Sequence, residues 1–171
     1  TGGLFAWISY IAPLVTKVSG VQEDSVPIIM ILVGLGMFFG NILGGKAADA
    51  MSPTKATIAC FSSMAICLVA VHFTAHIEWM AYVMAFITGI ISFSVGSPIQ
   101  MMLIQNAKGA ETFAASAGQA SFNMGNTLGA YLGGIPITMG LAYDTPVLVG
   151  VGMASIGVVL TIVFLQSSRR V

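Results

Sequence analysis

Long apolar runs recur along this chain between short polar breaks, and their length sets the first expectation. A hydrocarbon core about 30 Å thick needs roughly 20 apolar residues as helix. The runs predict six such segments, at 2–19, 26–45, 54–75, 79–104, 112–140 and 146–167. Start signals support several of them: Ser25 with Pro27, Ser52 with Pro53 and Thr145 with Pro146 each put a capping hydroxyl ahead of a proline near a first turn. The expectation is an all-α membrane protein with six transmembrane helices. The first span is the shortest, as expected if its beginning has been cut away.

Composition supports the bilayer as solvent. Of 171 residues 57% are hydrophobic and only 7% charged, with a mean hydropathy of +0.95; a soluble domain carries roughly a quarter charged side chains. The length would allow a sizeable soluble core, but so few charges could not cover it. The formal net charge is zero, so neither a basic nucleic-acid patch nor an acidic tail is expected. Cys60 and Cys67 stand seven apart on one helix face, too far to bridge, and read as buried fillers. The chain opens "TGGLFAW", without an initiating Met or a cleavage site, so it is expected to begin inside something larger.

Basic residues orient membrane proteins, being enriched in cytoplasmic connections. Lys46 and Lys55 lie between spans two and three, Lys108 between four and five, and Arg169 and Arg170 after six, all on one side. The other side has Lys17 with Glu23, Asp24, Glu78 and Asp144. This places the C-terminus in the cytoplasm. All six acidic residues fall in connections or at helix ends, so any carboxylate that carries a proton at mid-membrane depth is expected elsewhere in the protein.

Two stretches repeat: "GMFFGNILGG" returns 89 residues later as "GNTLGAYLGG", with Gly36, Gly40, Gly44 and Gly45 matched by Gly125, Gly129, Gly133 and Gly134. The offset aligns span two with span five, making spans one to three a repeat of spans four to six. Three is odd, so the copies run in opposite directions, an inverted-repeat design found in transporters. Glycines four apart also form a smooth groove that lets another backbone approach in lipid, whether for packing alone or for sliding.

Polar residues inside the spans are the candidate site. Gln119, Asn123 and Asn126 fall within one narrow arc of the fifth helix, roughly a quarter-turn from its glycines. An amide in lipid needs a partner or water, so this face either bonds to other helices or lines a cavity. On the fourth span Ser97 and Gln100 share a face beside Pro98, which bends the helix and frees a carbonyl. Phe5, Trp7 and Tyr10 suit stacking on a sugar or an apolar drug, or an interfacial belt. His72 and His76 have metal-pair spacing but read as interface anchors, and no metal or cofactor motif is expected. No nucleophile with a base and no phosphate-binding loop appears, so an enzyme is not expected.

The loop "GGKAADAMSPTKA" resembles the cytoplasmic signature of the major facilitator superfamily, a glycine, three residues, an aspartate and then basic residues. Gly45, Asp49 and Lys55 match; Ala50 and Ser52 depart from it. "SPIQMMLIQNAKGAE" and "GQASFNMGNTLGAYLGG" are similar to the arabinose-efflux-permease-like branch of drug and sugar efflux transporters, as are "GLFAWISYIAPL" and "GLAYDTPVL". The resemblance implies the C-terminal six-helix half of a twelve-helix transporter, whose partner would be the missing N-terminal half. It implies export of small molecules, commonly in exchange for protons, by alternating access in a bacterial inner membrane. It also implies that the first and fourth spans line the cavity, the second and fifth flank it, and the third and sixth face lipid. By the same resemblance Asp49, with Lys46 and Lys55 nearby, would be a charge latch that stabilises one closed state. The alternative for the whole chain is a self-contained six-helix channel or facilitator, or an accessory membrane subunit that does not transport.

Overall fold

The computed structural model describes residues 2–168, and Arg169 and Arg170 of the charge argument lie outside them. The described residues form eight α-helices and one short 3-10 turn. In order these are α1 (Gly2–Ile8), α2 (Ile11–Lys17), the 3-10 turn Glu23–Ser25, α3 (Val26–Ala50), α4 (Pro53–Thr74), α5 (Glu78–Ser94), α6 (Gly96–Gln105), α7 (Glu111–Thr138) and α8 (Thr145–Ser168).

Six spans were expected, and the helices depart from that count. The first is two seven-residue helices broken at Ser9 and Tyr10, where Tyr10 leaves helical geometry at φ −118° and ψ 16°. The fourth is α5 and α6, joined at Val95. Pro98 has no N–H for the Ser94 carbonyl one turn back, and that carbonyl accepts the Cys60 Sγ–H at 3.6 Å instead. Four helical stretches are long and apolar enough to cross a membrane: Glu23–Ala50, Pro53–Thr74, Glu78–Gln105 and Thr145–Ser167. α7 has 28 residues, but its serines, threonines and amides dilute its apolar character. α1 and α2 are each too short.

The capping hydroxyls also differ from expectation. Neither Ser25 nor Ser52 makes a side-chain cap bond, and the Thr145 hydroxyl turns back to donate to the Ala142 carbonyl at 2.6 Å. Prolines at N1 or N2 start α3 and α4 without such bonds, since a proline lacks one of the N–H groups a cap would satisfy. The turn before α7 is closed by Gly109, at φ +82°, whose N–H donates to Glu111 Oε1 at 2.9 Å. That bond, followed by the N–H of Glu111 itself, holds the Glu111 carboxyl below the usual carboxylate range.

Close backbone approach organises the bundle. On α3, Gly36, Gly40 and Gly44 are buried against α5: a methyl on each would strike the backbone of Phe86, Ile90 and Ser94 in turn. On α7, Gly129 and Gly133 meet α1, where a methyl on Gly129 would strike the Gly2 backbone and one on Gly133 would come 2.8 Å from the Ala6 carbonyl oxygen. The third pairing is α4 with α8. There the Phe61 ring lies 3.2 Å from a methyl built on Gly157, and Leu68 is wholly buried. Both cysteines are free and buried between α4 and α5, Cys67 Sγ lying 3.4 Å from Thr88 Oγ1.

The outside of the bundle is apolar. Ile31, Leu35, Phe38 and Phe39 on α3, and Ile156, Val159, Leu160 and Val163 on α8, are all exposed. Several hydroxyls on the helices are satisfied locally, as where Ser155 and Thr161 donate to the carbonyls of Val151 and Gly157 four residues back. A surface of this kind is stable only against lipid or another apolar protein face. The described chain is therefore an all-α, multi-pass membrane protein.

Candidate functional site

The helix breaks and glycine contacts leave one cleft in which polar side chains collect. It has a volume of about 400 Å³ and is lined from α1, α3, α5–α6 and α7; α4 and α8 contribute nothing to its wall. Phe5 enters from α1, Ser97 and Gln100 from α6, and Gln119 and Asn126 from α7. Asn41 enters from α3, and Phe93 and Phe122 close the cleft with aromatic surface. This volume lies within the range of small-molecule sites, roughly 300–1,000 Å³.

Local structure explains the convergence. The Val95 junction and Pro98 turn the polar face of α6 inward, with Pro98 buried. On α7, Gly118 lets α6 come close: a methyl there would be 2.7 Å from both Gln100 Oε1 and Leu103 Cδ1. The glycines of α7 pack on α1 while its amide face, about a quarter-turn away, is left for the cleft. α3 repeats the arrangement, since Asn41 follows Gly40 by one residue, about 100° around the helix.

Two acceptors in the cleft wall are buried without a hydrogen-bond partner, Gln100 Oε1 and Asn126 Oδ1. A buried polar atom without a partner costs about 1–3 kcal/mol, so a donor that reached either oxygen would relieve that cost. Each amide also offers an NH₂ group when turned over. None of the lining side chains carries a charge. The wall suits a neutral molecule with hydroxyl or amide groups on an apolar frame.

Other candidates from the sequence lie elsewhere. Trp7 is 2% exposed and belongs to the core with Leu4, Leu14 and Val71, because the α1 turn that brings Phe5 to the cleft carries Trp7 to the opposite side. Tyr10 is a brace, its hydroxyl donating to the Ala130 carbonyl at 2.8 Å, from α1–α2 to α7. Asn123 is exposed and outside the cleft wall. Asp49 lines a shallow depression with Ser97, Gln100 and Gln105. Lys46 and Lys55 are both exposed, and among the described residues neither pairs with Asp49.

Asn41 was missed by sequence reasoning. Its signal was a single amide inside the apolar run of α3, within the repeated decad itself. A second cavity of about 460 Å³ adjoins the cleft through Leu4, Ser92, Val95 and Phe122, but its wall is almost wholly apolar. Its two hydroxyls, Ser92 and Ser121, are committed to carbonyls of their own helices. The smaller cleft therefore has the more polar wall of the two.

Several known proteins are similar in sequence. The chain is 39% identical over 142 residues, 83% of its length, to a protein named as a putative transporter, AraJ, of Escherichia coli. It is 31% identical over 170 residues, 99% of its length, to the inner membrane transport protein YdhP of Escherichia coli. It is 31% identical over 143 residues, 82% of its length, to a protein of Helicobacter acinonychis named as a probable sugar efflux transporter. The chain spans only 36%, 43% and 36% of these three relatives. No family model matches it, and no solved structure matches it significantly.

Proposed function

The chain belongs to the major facilitator superfamily of transporters, and from that premise we propose that it is the C-terminal six-helix half of a secondary transporter that exports a small neutral solute. The observation that carries the reading is the uncharged, amide-lined cleft on the side of the bundle away from α4 and α8, with its two unpartnered acceptors. A relative named for sugar efflux agrees with such a solute.

In this reading α1–α2, α3 and α4 form one three-helix repeat, and α5–α6, α7 and α8 form its inverted copy. The helix pairings support it, because exchanging the copies converts the α3–α5 contact into the α7–α1 contact and returns α4–α8 to itself. The exposed apolar residues of α3, with Met124, Leu128 and Tyr131 of α7, support a face that the other half covers. Alternating access then moves the two halves about the cleft. Asp49, with Lys46 and Lys55, serves as the latch at the cytoplasmic end, and the C-terminus lies in the cytoplasm of a bacterial inner membrane.

Proton coupling follows the family expectation, with the carrying carboxylate in the other half. The test uses the full-length transporter in proteoliposomes, a panel of neutral solutes and an imposed proton gradient. Flux of a polyhydroxylated or amphipathic neutral solute that responds to the gradient and falls at least tenfold in Asn126→Leu supports the reading. Gradient-independent flux would remove proton coupling. Flux untouched by Asn126→Leu would remove the cleft from the path.

A further inference from the structure

The apolar cavity beside the cleft has no part in the transport reading so far. It holds about 460 Å³ against about 400 Å³ for the cleft, and the two share Leu4, Ser92, Val95 and Phe122. Beyond that shared wall the lining changes character. Phe61 and Met64 come from α4, Leu103 from α6, and Ile156 and Leu160 from α8. The Ser92 and Ser121 hydroxyls already donate to the carbonyls of Thr88 and Ala117.

These walls select an occupant. A buried water needs about two to four polar partners, which this lining does not supply, and an empty space forfeits the dispersion contacts of the atoms around it. An apolar group fits it best. Ile156 and Leu160 are also 60% and 64% exposed on the outside of the bundle, so a lipid acyl chain has access. A lipid chain in the cavity would nevertheless leave Gln100 Oε1 and Asn126 Oδ1 in the neighbouring cleft without donors. One molecule that spans the shared wall, polar at one end and apolar at the other, answers both halves.

We propose that the apolar cavity is the second half of the solute site, and that the solute is a neutral amphipath. Its hydroxyl-bearing head occupies the cleft and its hydrocarbon arm passes Phe122 into the apolar cavity. This rests on the cleft being the solute site, and it narrows the solute from any neutral molecule to one with an apolar arm. A free, fully hydroxylated sugar would fill only the cleft and lose the contribution of the arm.

The test measures binding of methyl, butyl and hexyl glucosides to the full-length protein in lipid nanodiscs, with Kd referred to the free aqueous concentration and binding to empty nanodiscs subtracted. Kd should fall about threefold to fourfold for each methylene that enters the cavity. Ser121→Phe puts a ring at a cavity position outside the cleft wall and should cut the hexyl-to-methyl preference at least about tenfold. Ile156→Trp does the same from α8 and decides if Ser121→Phe does not fold. Val159→Trp, on the exposed face of α8 and outside both cavities, should keep the preference. Asn126→Leu should weaken every member of the series. A series that does not tighten with chain length, as when a lipid chain fills the cavity, overturns the proposal and leaves the cleft standing. A preference untouched by Ser121→Phe and Ile156→Trp overturns it too. Binding that ignores Asn126→Leu, or no binding of any glucoside, removes the cleft reading and this proposal with it.

Discussion

Gly44 and Gly45 are neighbours on one helix, and substituting each by alanine separates close packing from helix propensity. A methyl on Gly44 would lie 2.8 Å from both the carbonyl carbon and the Cα of Ser94, whereas one on Gly45 would meet nothing within 4 Å. Carbon atoms in contact prefer about 3.5–4.0 Å, so Gly44→Ala must move α3 and α5 apart by about 1 Å at this point. A gap of that size forfeits about a quarter to a half of each dispersion contact along the seam, and overpacking of this kind costs about 1–3 kcal/mol. Alanine is the better helix former by about 1 kcal/mol. That gain is common to both variants and cancels between them. The expected difference is therefore the overpacking cost, which corresponds to about 2–12 °C in Tm at roughly 2–4 °C per kcal/mol. The assay is thermal unfolding in detergent or nanodiscs, with Gly152→Ala on α8 as a second open position, since a methyl there also meets nothing within 4 Å. If Gly44→Ala unfolds at the same temperature as Gly45→Ala, the glycines do not hold the helices at backbone distance and the packing argument fails.

Further expectations concern other parts of the molecule. Tyr10→Phe removes the bond to the Ala130 carbonyl and should cost about 1 kcal/mol. The same change should make Gly134→Ala tolerable, because a methyl there collides with the Tyr10 hydroxyl; unfolding of the single and double variants shows whether the two effects compensate. Cys60 and Cys67 are buried and free, so a hydrophilic maleimide should label neither in the folded protein and both after denaturation, as mass spectrometry would report. Asp49→Asn should shift the balance of inward-open and outward-open states, measured by distance distributions between spin labels on the two halves. Unchanged populations would remove the latch.

Much of the fold was legible because lipid imposes a length on every span. Runs such as 26–45 and 54–75 have one structural solution in a bilayer, and α3 and α4 form there. Breaks inside a span are less visible, since the geometry at Tyr10 and the Val95 junction arises from tertiary packing that composition does not encode. Helical periodicity alone put Gln119, Asn123 and Asn126 on one arc, but it did not show that only Gln119 and Asn126 line the cleft. Placing Trp7 required knowing which face of α1 meets the core, and a helix of seven residues has too little pattern to say. Asn41 escaped because a single polar residue carries no period. Its place in the cleft wall emerges only when α3 is set against α6 and α7.

The central claim is that the amide-lined cleft is the transport path. Its most direct test is the labelling rate of the Asn126→Cys variant by a hydrophilic maleimide in the membrane-embedded full-length transporter, with and without a transported solute. The account predicts that the introduced thiol is labelled while Cys60 and Cys67 stay unmodified, and that its rate falls at least severalfold when the solute is present. No labelling, or a rate indifferent to every solute the protein carries, would contradict it.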